Sequence, residues 1–170
     1  MSLDSLHDLY VDELKDIHSA ERQLLRALPR MAKAADSPEL RSAFESHLKE
    51  TEKQVERLDK IFAELEKKAT GKKCKGMEGL IEEGKEMMEE EADPAVMDAA
   101  LIAAAQRVEH YEIAAYGCVR NYAELLGYTS AARLLQQSLD EEEAADKKLT
   151  QLAEGGINEA AVAVGVGEEE

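Results

Sequence analysis

Apolar residues recur along most of the chain at steps of three and four, the period of an α-helix, and no run alternates with the period of two that marks a strand. Leu3, Tyr10, Ile17, Leu24 and Met31 stand seven residues apart, and Leu14, Glu21 and Leu28 make a parallel row. Two such rows form a seam for packing against other helices, so the pattern predicts a first helix over residues 3 to about 35. Asp36-Ser37-Pro38 interrupts it, with Ser37 placed as N-cap and Pro38 at the first helical position of the next helix. Phe44, Leu48, Thr51, Val55, Leu58, Phe62 and Leu65 then carry a second helix to about residue 68.

TGKKCKG ends that helix, and a shorter one is predicted over residues 77–91. Asp93-Pro94 opens a long helix to about residue 126, with Gly127 as its C′ residue. Thr129 or Ser130 is expected to cap a last long helix, which Gly155-Gly156 stops near residue 153. The chain therefore divides into a helical domain, residues 1–154, and a flexible acidic tail, residues 155–170. Short turns join the first two and the last two long helices, and a long connection separates the pairs. Short turns make antiparallel neighbours, while the long connection starts the second pair from the opposite end. The expected fold is all-α, a four-helix bundle of the ferritin-like kind, with a long crossover containing a short fifth helix.

Composition narrows the function. A net charge of −16 repels nucleic acid and anionic membrane surfaces and favours cations as partners. The two cysteines, Cys74 and Cys118, make no CxxC unit and no disulfide framework. The start, MSLDSLHDLY, has no basic and apolar leader, and the most apolar window, VMDAALIAAA, is short and contains Asp98. A cytoplasmic protein is expected, with no membrane span.

The informative residues are those that break the apolar rows. Glu21 sits between Leu14 and Leu28; His47, Thr51 and Gln54 fall within the apolar face of the second helix, with Glu50 on its flank. Glu109 and Glu112 both point inward, whereas His110 points away; Glu142 shares a row with Tyr128, Leu135 and Leu149, and Asp146 follows one turn later. Isolated buried carboxylates are too costly to keep ionised. Basic residues are scarce on these faces, Arg120 being the main candidate. The inward positions all lie near mid-helix, so antiparallel packing converges them at one height. Carboxylates with one imidazole suit iron or manganese better than zinc. The predicted metal ligands are Glu21, His47, Glu50, Glu109, Glu112, Glu142 and Asp146. His18, one turn before Glu21, is a more remote candidate for a second imidazole.

Five motifs carry a resemblance that runs from about residue 6 to residue 162: SAERQLLRALPRMA (19–32), AFESHLKETEKQVERLD (43–59), MEGLIEEG (77–84), DAALIAAAQRVEHYEIAAYG (98–117) and LDEEEAADKKLT (139–150). In these the chain resembles the YciE/YciF family of bacterial ferritin-like proteins. The resemblance implies a stress-associated helical homodimer with a ferritin-like metal site, expected to hold two iron ions per chain, or manganese. It implies metal-ligand roles for the same seven residues. Glu50 and Glu112 are the candidates to bridge the metals, and Tyr116 to hydrogen-bond a ligand. A plausible reaction is reduction of peroxide or O₂ at the metal pair; the alternative is a non-enzymatic protein with a structural metal or none. The chain departs from the wider ferritin-like pattern of Glu-x-x-His on two helices: helix two reads His47-x-x-Glu50, and the last helix has no histidine.

Overall fold

The computed structural model describes residues 3–165. Its elements are α1 (Leu6–Ala34), α2 (Pro38–Glu64), α3 (Lys75–Glu89), α4 (Pro94–Leu125), α5 (Thr129–Leu152) and α6 (Asn158–Gly165). α1 pairs with α2 and α4 with α5; across the bundle α1 packs on α4 and α2 on α5, while α3 lies against α4 and α1. The four long helices and the crossover through α3 are those the periodicity predicts.

The helix ends show which local signals held. Ser5 caps α1 by accepting the Asp8 N–H at 3.1 Å, so the helix starts three residues later than its apolar row, and Leu3 is exposed. Ser37 and Asp93 cap α2 and α4, each followed by Pro at the first position. Gly127 takes φ 79°, and Tyr128 N–H returns to the Ala123 carbonyl at 2.8 Å, closing α4 in a Schellman turn. α2 closes the same way at Glu66, φ 53°, with Lys67 N–H bonded to the Phe62 carbonyl, so it ends before residue 68.

Two expectations are corrected. Neither Thr129 nor Ser130 caps α5: Tyr128 occupies that position and offers no side-chain cap, because the Schellman turn leads directly into the next helix. Nor do the glycines at 155–156 end the folded chain. Gly156, at φ 138°, kinks a wide turn over Ala153–Ile157, and the small apolar residues that follow form α6, which packs back on α4. The last five residues of the predicted tail, 166–170, lie outside the described ones.

The bundle's register has an anchor. Asp98, buried near the start of α4, accepts the backbone N–H groups of Asp36 and Ser37, both at 2.8 Å, and so ties the α1–α2 turn to α4. His47 lies ten residues from Ser37 along α2, and Glu109 eleven from Asp98 along α4. At the helical rise, both reach a level about 15–17 Å from the anchor.

The core is split at that level. Leu24, Leu28, Leu40, Phe44, Leu101 and Ile102 belong to an apolar cluster on the anchor side. Tyr10, Leu14, Leu58, Ile61, Val119 and Leu135 belong to another beyond it. Glu21, His47, Thr51, Gln54, Glu109, Glu112 and Glu142 are buried too, and on their helices they stand between the two clusters. No helix among the described residues is long and apolar enough to cross a membrane.

Candidate metal centre

A helix buries a polar side chain only when tertiary packing gives no other choice. Here α1, α4 and α5 each carry at least one acid inside the apolar stripe and α2 carries His47, so assembling the bundle forces them together. His47 from α2, Glu109 and Glu112 from α4 and Glu142 from α5 each offer a donor atom within 4.8 Å of the others. Glu21 from α1 joins them as a fully buried neighbour, its Oε1 accepting the Tyr116 hydroxyl.

Hydrogen bonding does not satisfy this cluster. His47 Nε2 stands 3.1 Å from Glu109 Oε1 and 3.4 Å from Glu142 Oε2, aligned for a hydrogen bond with neither. Both oxygens of Glu112, both of Glu142, and one each of Glu21 and Glu109 are buried without a partner. Buried polar atoms are nearly always paired, so six orphan oxygens in one place mark a site completed by something else.

The proton balance follows from burial. Desolvation, then the neighbouring acids, pushes Glu112 and Glu142 well above the ordinary carboxylate range. Burial likewise carries Glu21 up to about 7, against the opposing hydrogen bond from Tyr116. Burial alone would lower His47, but Glu109 leads the groups that outweigh it, and the imidazole is held well above its usual range. Glu109 feels the same burial, yet His47 at its closer distance keeps it below the ordinary value. Without a cation, then, the cluster is neutralised by protons on Glu112 and Glu142 and by an imidazolium beside Glu109.

The structure separates the remaining predicted ligands from this group. Glu50 is 38% exposed and meets the other ring nitrogen, His47 Nδ1, at 3.2 Å. A proton held on Nδ1 by Glu50 leaves Nε2 free toward the acids, the arrangement that orients a metal-binding histidine. Asp146 does not join the cluster. Its position, 40° round the helix from Glu142, takes it to the α4–α5 boundary, where it accepts from Gln106 at 3.3 Å and lies 3.3 Å from His110. His18 is buried but bound to Asp59 at 2.8 Å and edge-on to Phe62, so it supplies no second imidazole to the cluster. Arg120 pairs with Glu124 rather than with the buried acids.

Sequence reasoning missed Arg57. It clasps Glu141 by two hydrogen bonds of 2.7 Å and Ser138 Oγ by one of 3.1 Å; the bonds to Glu141 raise its pKa, and the charge of Glu21 adds to them. Gln54 also donates to Glu141, at 3.3 Å. The signal was faint, because Glu141 sits in the run Glu141-Glu142-Glu143, which reads as a solvated face. Opposite this clasp along the α2–α5 line, a cavity of about 280 Å³ runs from the surface to His47 and Glu109, past Ser46, Ala145 and Lys148.

One imidazole nitrogen and four buried carboxylates suit hard or borderline cations such as iron and manganese. The four charges of Glu21, Glu109, Glu112 and Glu142, with a neutral His47, equal those of two divalent ions. The residues present fit a bound cation of this class.

Known proteins agree with the fold. Residues 5–162 match the family model described as "Domain of unknown function (DUF892)". Protein YciF of Escherichia coli strain K12 is 48% identical over 162 residues, covering 95% of this chain and 98% of its own. The crystal structure of the E. coli stress protein YciF superposes with a TM-score of 0.88 at 49% identity, over 91% of this chain and 98% of that one. YcfI from Rhodopseudomonas palustris gives 0.85 at 45%, over 88% and 95%. A Xanthomonas campestris protein shares the fold alone, at 18% identity and a TM-score of 0.73. With its predicted all-α bundle present and its length matched nearly end to end, the chain belongs to the DUF892 family, the family of the E. coli stress protein YciF.

Proposed function

We propose that the cluster is a di-metal carboxylate centre, iron by preference and manganese as the alternative, in a cytoplasmic homodimer that serves a bacterial stress response. The observation that carries this is the set of six buried, unpartnered carboxylate oxygens around His47. His47 Nε2, Glu109, Glu112 and Glu142, with Glu21 beside them, would hold the metal. Glu50 fixes the imidazole from behind. Two ferrous ions held there would supply the two electrons that, with two protons from solvent, reduce hydrogen peroxide to two waters. The chain's own part is to gather the carboxylates around His47 and to close the two ends of the site with apolar clusters. Glu112 and Glu142 carry protons in the metal-free state and release them to admit cations. Tyr116 keeps its proton on the phenol, pushed far above its usual range by burial and by Glu21, and donates it in a hydrogen bond to that acid.

A second reading, a metal held for structure alone, draws on the single imidazole among the donors. Metal analysis after anaerobic ferrous loading, followed by mixing with peroxide, separates the two. About two irons per chain and a ferric absorbance that grows with peroxide support the reactive centre. Bound iron without that change leaves the structural reading, and no bound iron sinks both. Sedimentation analysis tests the homodimer independently.

A further inference from the structure

A site this deeply buried needs a way in. Its two ends are closed by apolar clusters. The α4–α5 side is crossed by Gln106, which bonds Asp146 at 3.3 Å and Thr150 at 2.8 Å. On the α1–α4 side, Tyr116 fills the space beside Glu21. Between α2 and α5 the lining changes character. The cavity of about 280 Å³ that reaches His47 and Glu109 is walled by the small residues Ser46, Ala144 and Ala145 together with the buried Phe44 and Leu149, and the exposed Lys148 also lines it. At Ser46, Ala144 and Ala145 the facing side chains are small and leave the helices apart. The Arg57–Glu141 clasp and the bond from Gln54 hold the same two helices together farther along, at 2.7 and 3.3 Å, so the gap is local.

We infer that the gap between α2 and α5 is the entrance through which a hydrated divalent cation reaches the buried carboxylates, with Ala145 and Ser46 setting its width and Lys148 its charge. This rests on the metal-binding reading above. The cavity has room for a cation with several of its waters, at about 30 Å³ each. At the inner end the ion meets Glu109 and the Nε2 of His47, where carboxylate and imidazole replace its water. Glu50, half-exposed at the mouth, attracts the cation, and Lys148 repels it. The rate of loading is therefore set at the mouth, whereas the amount bound is set by the buried acids.

The test uses the full-length metal-free protein mixed with Co²⁺, whose visible absorption reports coordination, in a stopped-flow instrument. Ala145→Leu should slow uptake by about tenfold and leave the final absorbance and the cobalt content unchanged. Ser46→Leu, on an exposed position that tolerates bulk, should slow it too; it guards against loss of folding in the first variant, which circular dichroism checks. Lys148→Glu should quicken uptake by about two- to fivefold at low salt, and the gain should fade as salt rises. Wild-type rates in both leucine variants, with full cobalt content, overturn the entrance while leaving the metal site standing. A wild-type protein that takes up no cobalt overturns both.

Discussion

Glu112, like Glu142, has both carboxylate oxygens buried without a hydrogen-bond partner. Desolvation and the nearby Glu142, Glu21 and Glu109 keep it protonated in the metal-free protein. Glu112→Gln copies that neutral form in shape and keeps a donor facing Glu21, so it should leave the metal-free melting temperature close to wild type. It should nevertheless abolish the rise in melting temperature on metal addition and lower the bound metal to well under one ion per chain, read by elemental analysis. A large loss of stability without metal would show that the acid is ionised and that another group neutralises it. At this scale the residues legible from the sequence were those that interrupt an apolar row. Glu21, His47, Glu109, Glu112 and Glu142 do so, and the structure buries all of them. Glu50 and Asp146 lie off the stripe by a fraction of a turn. That angle decides whether a carboxylate faces the cluster or meets a neighbour at its edge, and it depends on how the helices rotate in the packed bundle. Arg57 was illegible because a long cation can reach from a flank, so its helical angle says little about what it touches.

Elements were easier to read than contacts between them, since periods and caps are local. Ser37-Pro38, Asp93-Pro94 and Gly127 ended or began helices as their chemistry requires. α6 was misjudged because two glycines usually stop a helix, and the packing of the next segment on α4 is not written in the glycines. Asp98 was noticed as an acid in the most apolar window, a sign against a membrane span, but its purpose needed the fold. It alone accepts the N–H groups of Asp36 and Ser37. Asp98→Ala strands those donors at a part-buried turn. It should cost roughly 2–4 kcal/mol, or about 5–15 °C in melting temperature, while the metal content stays at the wild-type level. Asp98→Asn should recover part of the loss, because one amide oxygen still accepts. If Asp98→Ala melts like wild type, the α1–α2 turn is held by packing alone.

For the whole molecule, the split core sets a conflict between folding and function that pH makes visible. Glu21, Glu112 and Glu142 have folded-state pKa values raised above the ordinary 4.5, Glu21 to about 7. Each costs nothing where it is protonated in both states, and destabilises the fold as pH rises from 4.5 through its raised value. His47 is also raised, so the stability it contributes is full below the ordinary 6.5 and fades as pH climbs through its folded value. Glu109 is lowered; its contribution is present above 4.5 and is lost only on going more acid. Between about pH 5 and about pH 8 the four raised groups therefore act in one direction, and Glu21 alone removes on the order of 3 kcal/mol. The net charge of −16 adds general repulsion in the same sense. The metal-free protein should thus melt at a lower temperature at pH 8 than at pH 5. Divalent cations compete with those same protons, so metal binds more tightly as pH rises and releases protons as it binds. The increment in melting temperature on adding metal should grow across the same interval, and calorimetric titration in buffers of different ionisation enthalpy should count protons leaving per ion bound. A metal-free protein whose melting temperature rises from pH 5 to pH 8 would mean that the buried acids are already ionised at the lower pH. The bundle would then have to neutralise them with cations of its own, and the case for a metal at this level would lose its physical basis.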